Sequence, residues 1–447
     1  MRNRRQLLFD FGFGLAASAI LSRFRWLGRL EAAVAGAPAD YRALVCLFLF
    51  GGNDGNNTVI PYDGYGDYDA VRGGSLAIAK DSLLRIDAPS AGAAFGLHPA
   101  LPEIQSLYNA GHAAVLANVG TLTQPLTRSQ YLAGAPRPDN LFSHADQQAQ
   151  WQSSVVSAVD RLAQTGWGGR TADAAAALAG GTFPMIVSVA GVPLFTTGEN
   201  ARPLVPGGGL AGFRGDAVSN ARYAGLRQIL TLDTGLTLVG ADSGITSTAI
   251  DNIATLNAAL ATAPTLATAF PSTSLGKQLQ VIARIISVRA QLGMSRQIFF
   301  ASLTGFDTHT DEINTQQTLL AEVSQAVSAF YASTVELGVA PSVTTFTLSD
   351  FGRTLLPASG GGTDHAWGNH HLVVGGAVRG GDFFGTYPTV ALSGPDDASD
   401  EGRWIPTTSV DQYGATLAGW FGLGSAALAT VFPNLGRFAS PDLGFLG

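Results

Sequence analysis

Residues 297–350, QIFFASLTGFDTHTDEINTQQTLLAEVSQAVSAFYASTVELGVAPSVTTFTLSD, decide the fold. Residues 297–303 form an apolar run rich in Ile, Phe and Leu, which reads as a strand. Leu320, Val323, Val327 and Phe330 then recur at helical spacing, and the pattern stops near Gly338. Residues 343–348 form the next strand. A strand, helix and strand of this length form a right-handed parallel crossover. Both strands then end at the same edge of the sheet, so Asp307 and Asp350 are predicted to meet there. In parallel α/β sheets that edge is where ligands bind.

Outward from this unit the same grammar continues. Leu275, Leu279, Ile282 and Ile286 mark a helix closed by Gly293. Residues 43–50, ALVCLFLF, have the unbroken apolar character of a strand buried on both faces, and they stop at Gly51-Gly52. A helix carrying Ile104 and Leu107 leads into a strand at residues 113–117, and another strand is expected at 372–374. Residues 184–196 alternate and turn like strands or a hairpin, whereas 199–245 are Gly-rich and carry no motif. The expected architecture is an α/β domain over residues 40–447, with a mostly parallel central sheet and helices on both faces.

The chain has 447 residues, 46% hydrophobic and 13% charged, with 55 glycines and only two lysines, Lys80 and Lys277. Residues 1–39 carry six arginines against Asp10 and Glu31, a net of +4, so the remainder carries −11. An acidic body argues against nucleic acid as a partner. The basic head reads as an export signal. Arg4-Arg5 precedes Gln6-Leu7-Leu8-Phe9 in a twin-arginine pattern, and the apolar run to Leu21 is too short for a stable span. The expected partner during export is the twin-arginine translocase, and the expected destination is the periplasm. The alternative for this segment is a buried N-terminal helix or a membrane anchor. One cysteine, Cys46, excludes an intramolecular disulfide and reads as a small core residue.

Carboxylates and imidazoles cluster after the predicted strands. Asp54 follows Gly51-Gly52-Asn53, where it could face a ligand or simply complete a tight turn. Asp307 and His309 stand two apart, so in extended chain both can reach one metal; the alternative is a cap for the next helix. Asp350 could share that metal, and Arg353 could steady an anionic substrate or pair with a carboxylate. Asp364-His365 and His370-His371 form the densest histidine cluster, with His365 the ligand candidate. Ser143, in Ser143-His144-Ala145-Asp146, suits a helix N-cap, and equally a hydroxyl nucleophile beside a metal. His98 and His112 read as structural.

Six of these segments occur in a fixed order: Gly51-Gly52-Asn53-Asp54-Gly55, Gly96-Leu97-His98-Pro99, Ser143-His144, Gly305-Phe306-Asp307-Thr308-His309, Ser349-Asp350-Phe351-Gly352-Arg353-Thr354 and Gly362-Thr363-Asp364-His365. With residues 379–388, reading RGGDFFGTYP, they resemble the bacterial domain of unknown function 1501 family, over roughly residues 40–440. That family resembles the alkaline phosphatase and sulfatase superfamily. The resemblance implies an alkaline phosphatase-like fold and a metal-dependent hydrolase of phosphate or sulfate esters. It implies Asp54, Asp307, His309, Asp350 and His365 as metal ligands, Ser143 as nucleophile, and a divalent metal, Zn²⁺ before Mn²⁺, Mg²⁺ or Ca²⁺. Three departures stand out: the close spacing of Asp307 and His309, Phe351 where phosphatases place a second-metal histidine, and the lack of a Cys-x-Pro-x-Arg or Ser-x-Pro-x-Arg segment. The last argues against a formylglycine sulfatase. The competing reading is a non-catalytic exported module that keeps the fold for binding or assembly.

Overall fold

The computed structural model describes residues 40–157, 160–206, 216–233 and 235–447. The proposed export signal, residues 1–39, lies outside them. Eight strands form the central sheet. Across it run Phe383–Phe384, Ala113–Gly120, Asn369–Gly375, Val343–Ser349, Arg42–Phe50, Arg296–Thr304 and Ile186–Ser188, with Thr408–Ser409 also paired to Ala113–Gly120. Arg42–Phe50 pairs in parallel with both Arg296–Thr304 and Val343–Ser349. Among the described residues, only Asn369–Gly375 runs antiparallel within this sheet, against both of its neighbours. The fold is thus α/β with a mostly parallel sheet, and the three strands expected at its centre are there.

Period-two alternation along Arg42–Phe50 builds two cores. Ala43, Val45, Leu47 and Leu49 face one side, with helices Ser274–Ser287 and Glu312–Glu336. Leu44, Cys46 and Phe48 face the other, with helix Val410–Phe421 and Trp167. Helices therefore cover both faces, as a parallel sheet requires. Cys46 is fully buried, which pushes its thiol well above the ordinary range and fits the core reading.

Two expectations change. Residues 184–196 give one short strand, Ile186–Ser188, followed by a 3₁₀ turn at Leu194–Thr196, because Gly191 and Pro193 interrupt pairing. The Gly-rich stretch holds two helices, Ala217–Leu230 and Thr237–Leu260. Few of their apolar side chains are buried, and Leu232, Leu236 and Leu238 are exposed, so no apolar stripe announces them. Among the described residues, no helix is long and apolar enough to cross a membrane.

The register sets the site. Phe50 is opposite Thr304, and Leu49 opposite Ser349, so the three central strands end level. Gly51, with φ of +115°, lets the next chain close in: a Cβ there would lie 2.3 Å from the Asp307 nitrogen. At Gly52 a Cβ would lie 2.5 Å from the Phe351 ring. An antiparallel hairpin, Arg353–Pro357 with Thr363–His365, folds over this edge and carries Arg353 and His365.

Candidate metal centre

Three histidines converge on one oxygen, Asp307 Oδ1. His309 Nε2 lies 3.1 Å from it, His144 Nε2 3.4 Å and His365 Nε2 3.5 Å. His309 and His365 Nε2 are 3.0 Å apart. Asp307 and His309 come from the segment after Arg296–Thr304, His365 from the hairpin, and His144 from the first position of helix His144–Ser153. The ligand atoms of His144, Asp307 and His365 lie within 4.8 Å of one another.

The other ring nitrogens fix the tautomers. His365 Nδ1 is 2.8 Å from the Phe142 carbonyl, which can only accept, so Nδ1 carries the hydrogen. His144 Nδ1 meets Asp350 Oδ2 at 2.7 Å, and His309 Nδ1 meets Asp364 Oδ1 at 3.2 Å. Carboxylates accept in the same way. In the neutral rings all three Nε2 atoms then present lone pairs to a carboxylate oxygen, and two of them face each other. Lone pairs at that separation repel unless a cation lies among them. His144 Nε2 is buried and makes no hydrogen bond. Burial first, and the nearby Arg353 charge, hold the His365 imidazole below its usual range despite the Phe142 carbonyl.

These observations fit a metal. Tetrahedral Zn²⁺ with ligands at about 2.0–2.1 Å has ligand atoms about 3.3 Å apart. The four separations just given bracket that value. Imidazoles whose second nitrogen donates to a carboxylate or carbonyl are also the usual surroundings of a metal-bound histidine.

The remaining predicted residues divide. Asp350 is fully buried, and its oxygens accept from the Gly51 N–H at 3.1 Å, from Gln148 at 2.7 Å and from His144. It orients His144 rather than joining the converging atoms. Asp54 stands apart from the cluster. It caps the short helix Gly55–Thr58, accepts from the Asn56 N–H at 3.0 Å and forms a buried ion pair with Arg72. Its oxygens meet Arg72 and the Asn56 N–H. Burial opposes its ionisation, yet Arg72, Glu312 and Asn56 together hold the carboxyl below its usual range.

Arg353 is fully buried and tied to backbone. It donates to the carbonyls of Gly52 at 2.9 Å, Thr363 at 3.0 Å and Phe306 at 3.1 Å, to that of Gly51, and to Asp307 Oδ1 at 2.6 Å. With these acceptors it clamps three site segments together. Burial works against the Asp307 charge, but the Arg353 hydrogen bond and the charges of Arg353, His144 and His309 leave its carboxyl below the usual range.

Ser143 occupies the N-cap position of helix His144–Ser153 without a side-chain cap hydrogen bond. The N-cap position of the helix after Asp307 falls on Asp311, at φ of 47° and without a side-chain cap hydrogen bond, so Asp307 is no cap. His370 and His371 are fully buried on Asn369–Gly375 and point apart, one against Tyr387 and the other against Trp151. Neither joins the cluster. The residue that sequence reasoning passed over is His144. Its signal is its place within the Ser143-His144 segment, one residue after the candidate hydroxyl.

A family model described as "Protein of unknown function (DUF1501)" matches residues 257–399, which contain Asp307, His309, Asp350, Arg353 and His365. Solved structures with a related outline include the PsFucS1 sulfatase from Pseudoalteromonas sp., at 11% identity and TM-score 0.34, covering 86% of this chain and 68% of that one. The lipoteichoic acid synthase LtaP from Listeria monocytogenes gives 7% identity and TM-score 0.32, with 87% and 74% covered. A phosphonate monoester hydrolase of Agrobacterium radiobacter gives 10% identity and TM-score 0.28, with 86% and 74% covered. No curated protein matches the chain.

Proposed function

We propose that His144, His309, His365 and Asp307 hold one divalent metal, with Zn²⁺ the best fit, and that the chain is an exported hydrolase of a phosphate or sulfate ester. The convergence of three histidine Nε2 atoms on Asp307 Oδ1 carries this reading. Three nitrogens and one oxygen suit Zn²⁺ better than Mg²⁺ or Ca²⁺, which prefer oxygen. Asp350 and Asp364, which the sequence grouped with or beside the ligands, hold the outer nitrogens of His144 and His309.

A divalent cation held by these four side chains would need a fifth position for water or ester, and there it would supply Lewis-acid polarisation of an ester oxygen and an acidified water. The chain supplies the rest. Arg353 fixes Asp307 and leaves its charge in place. The uncapped first turn of helix His144–Ser153 offers backbone N–H groups and a positive dipole end to an anionic ester. Ser143 stands at that turn, where its hydroxyl is either the nucleophile or a bystander to a water. The decisive experiment is metal analysis of the purified full chain, followed by an ester screen with Zn²⁺, Mn²⁺ or Mg²⁺ added. Bound metal with chelator-sensitive turnover is expected. In Ser143→Ala the metal should remain while turnover falls by about 10²-fold or more if the hydroxyl attacks. Unchanged turnover assigns the attack to water.

The second reading, a binding or assembly module, draws on Asp54 being neutralised by Arg72. A metal-free, chelator-insensitive protein would select it. Under either reading we propose export by the twin-arginine translocase to the periplasm, with a small-molecule or polymer-linked ester as the hydrolase's substrate and no nucleic acid bound. Replacing Arg4-Arg5 with Lys-Lys should leave the protein in the cytoplasm, as read by fractionation; unaltered export would refute the signal.

A further inference from the structure

The back of His365 is held by residues that lie outside the converging cluster. Its imidazole Nδ1–H donates to the Phe142 carbonyl, and its own peptide carbonyl accepts from Arg403 Nε at 2.8 Å. The same guanidinium lies over the Phe142 ring, 4.6 Å from the centroid, which is within cation–π range. One of its terminal nitrogens pairs with the Glu401 carboxylate at 2.6 Å. Arg403 thus grips His365 from two sides, at its peptide and through the residue that holds its ring. Phe142 stands two positions before His144, so the grip joins the chain segments of two of the three converging histidines.

Arg403 is delivered by a loop built around one buried carboxylate. Asp397 has no solvent exposure. Its Oδ1 accepts from the Ser399 N–H at 3.0 Å and the Arg403 N–H at 2.9 Å, and its Oδ2 from the Ser393 N–H at 3.0 Å and the Gly402 N–H at 3.1 Å. Hydrogen bonds to an ionised acceptor are the strong ones, so four backbone donors on one carboxylate leave this loop little freedom. The loop is tied in turn to the hairpin that carries His365: the Leu355 N–H donates to the Gly402 carbonyl at 3.2 Å, and the Leu356 N–H to the Glu401 carbonyl at 3.0 Å. We propose that Arg403 is a positioning residue of the metal centre, aiming the His365 imidazole through its peptide carbonyl and the Phe142 ring, with Asp397 shaping the loop that brings it there. This rests on the metal reading, because only under that reading is His365 a ligand. A ligand held in place beforehand costs the ion no ordering when it binds.

The test uses the full chain and two variants. Arg403→Met keeps an apolar stem over Phe142 but removes the Nε donor and the charge, and Arg403→Lys is the conservative change. Calorimetric titration of the metal-stripped proteins with Zn²⁺ should show affinity lowered by about 10- to 100-fold in Arg403→Met, the usual effect of losing an outer partner of a metal-bound histidine. The loss should be smaller in Arg403→Lys, whose ammonium can still sit over the ring. The second readout needs no metal. It is the exchange with water of the His365 Nδ1–H proton, observed by NMR in protein labelled with ¹⁵N-histidine and assigned by its loss in His365→Gln. In the metal-stripped Arg403→Met this proton should exchange faster than in the unaltered chain by about tenfold or more, the factor that loss of one charge-assisted hydrogen bond gives. Arg403→Lys should restore part of the protection. Zn²⁺ affinity equal to that of a metal-binding unaltered chain, or an equally protected proton in Arg403→Met, would overturn the proposal. An unaltered chain that binds no Zn²⁺ would sink the metal reading, and proton exchange would still decide whether Arg403 holds His365. Should Arg403→Met fail to fold, Phe142→Leu keeps the carbonyl and removes the ring face, and the same two measurements decide with it.

Discussion

His144→Ala is expected to release the metal and, with it, all metal-dependent turnover, while the protein stays folded. The side chain contributes one of three converging nitrogens, and its Nε2 makes no hydrogen bond within the chain that the substitution would break. What is lost within the protein is ring packing against Phe351 and His365 and the contact with Asp350, whose Oδ1 and Oδ2 keep the Gly51 N–H and Gln148 as donors. Asp350→Asn provides the graded companion. It leaves the His144 ring in place but removes the carboxylate that holds its Nδ1–H, and such outer partners change metal affinity by about 10- to 100-fold. Calorimetric titration of the metal-stripped protein with Zn²⁺ measures both. The order expected is unaltered chain, then Asp350→Asn, then His144→Ala with no measurable binding. Equal affinity in all three would remove His144 from the centre.

The parts of this site that were legible in the sequence are those fixed by strand ends. Residues 297–303 and 343–348 could be read as parallel strands of one sheet from apolar runs and one intervening helix, and parallel strands deliver Asp307 and Asp350 to one edge, although Arg42–Phe50 lies between them. His309 followed from its spacing to Asp307. What could not be read was how the loops fold back. Whether Asp54 faces the centre or turns beneath it depends on Arg72, which no local pattern connects to it. Asp350 and His144 are 206 positions apart, and their pairing exists only once helix His144–Ser153 is laid against the sheet edge. Arg353 was visible as a cation near carboxylates. Its role as a clamp on four backbone carbonyls depends on the positive φ angles of Gly51 and Gly52, which bring those carbonyls within reach. The helices at 217–230 and 237–260 escaped for the opposite reason: their apolar residues are spread over exposed faces, so periodicity carried no information there.

Arg72→Met is expected to destabilise the fold more than any other single change considered. Arg72 and Asp54 are both without solvent exposure, so screening by water does not weaken the pair. Besides Asp54, the guanidinium donates to the carbonyls of Leu355 at 3.0 Å and Thr354 at 2.7 Å, tying the first turn to the hairpin that carries His365. Removing one partner of such a pair leaves an uncompensated buried charge and costs about 3–5 kcal/mol. The sign with pH is definite. Asp54 is held below its usual range in the folded protein, so its contribution is present above the ordinary carboxylate range and is lost as pH falls through the depressed value. The deficit of Arg72→Met should therefore be largest at neutral pH and shrink on acidification, as urea unfolding at several pH values would show. Adding Asp54→Asn removes the stranded charge, and the double variant should recover part of the loss. A double variant as unstable as the sum of the two single changes would mean that the two groups act independently, and that Arg72 matters only through its carbonyl contacts.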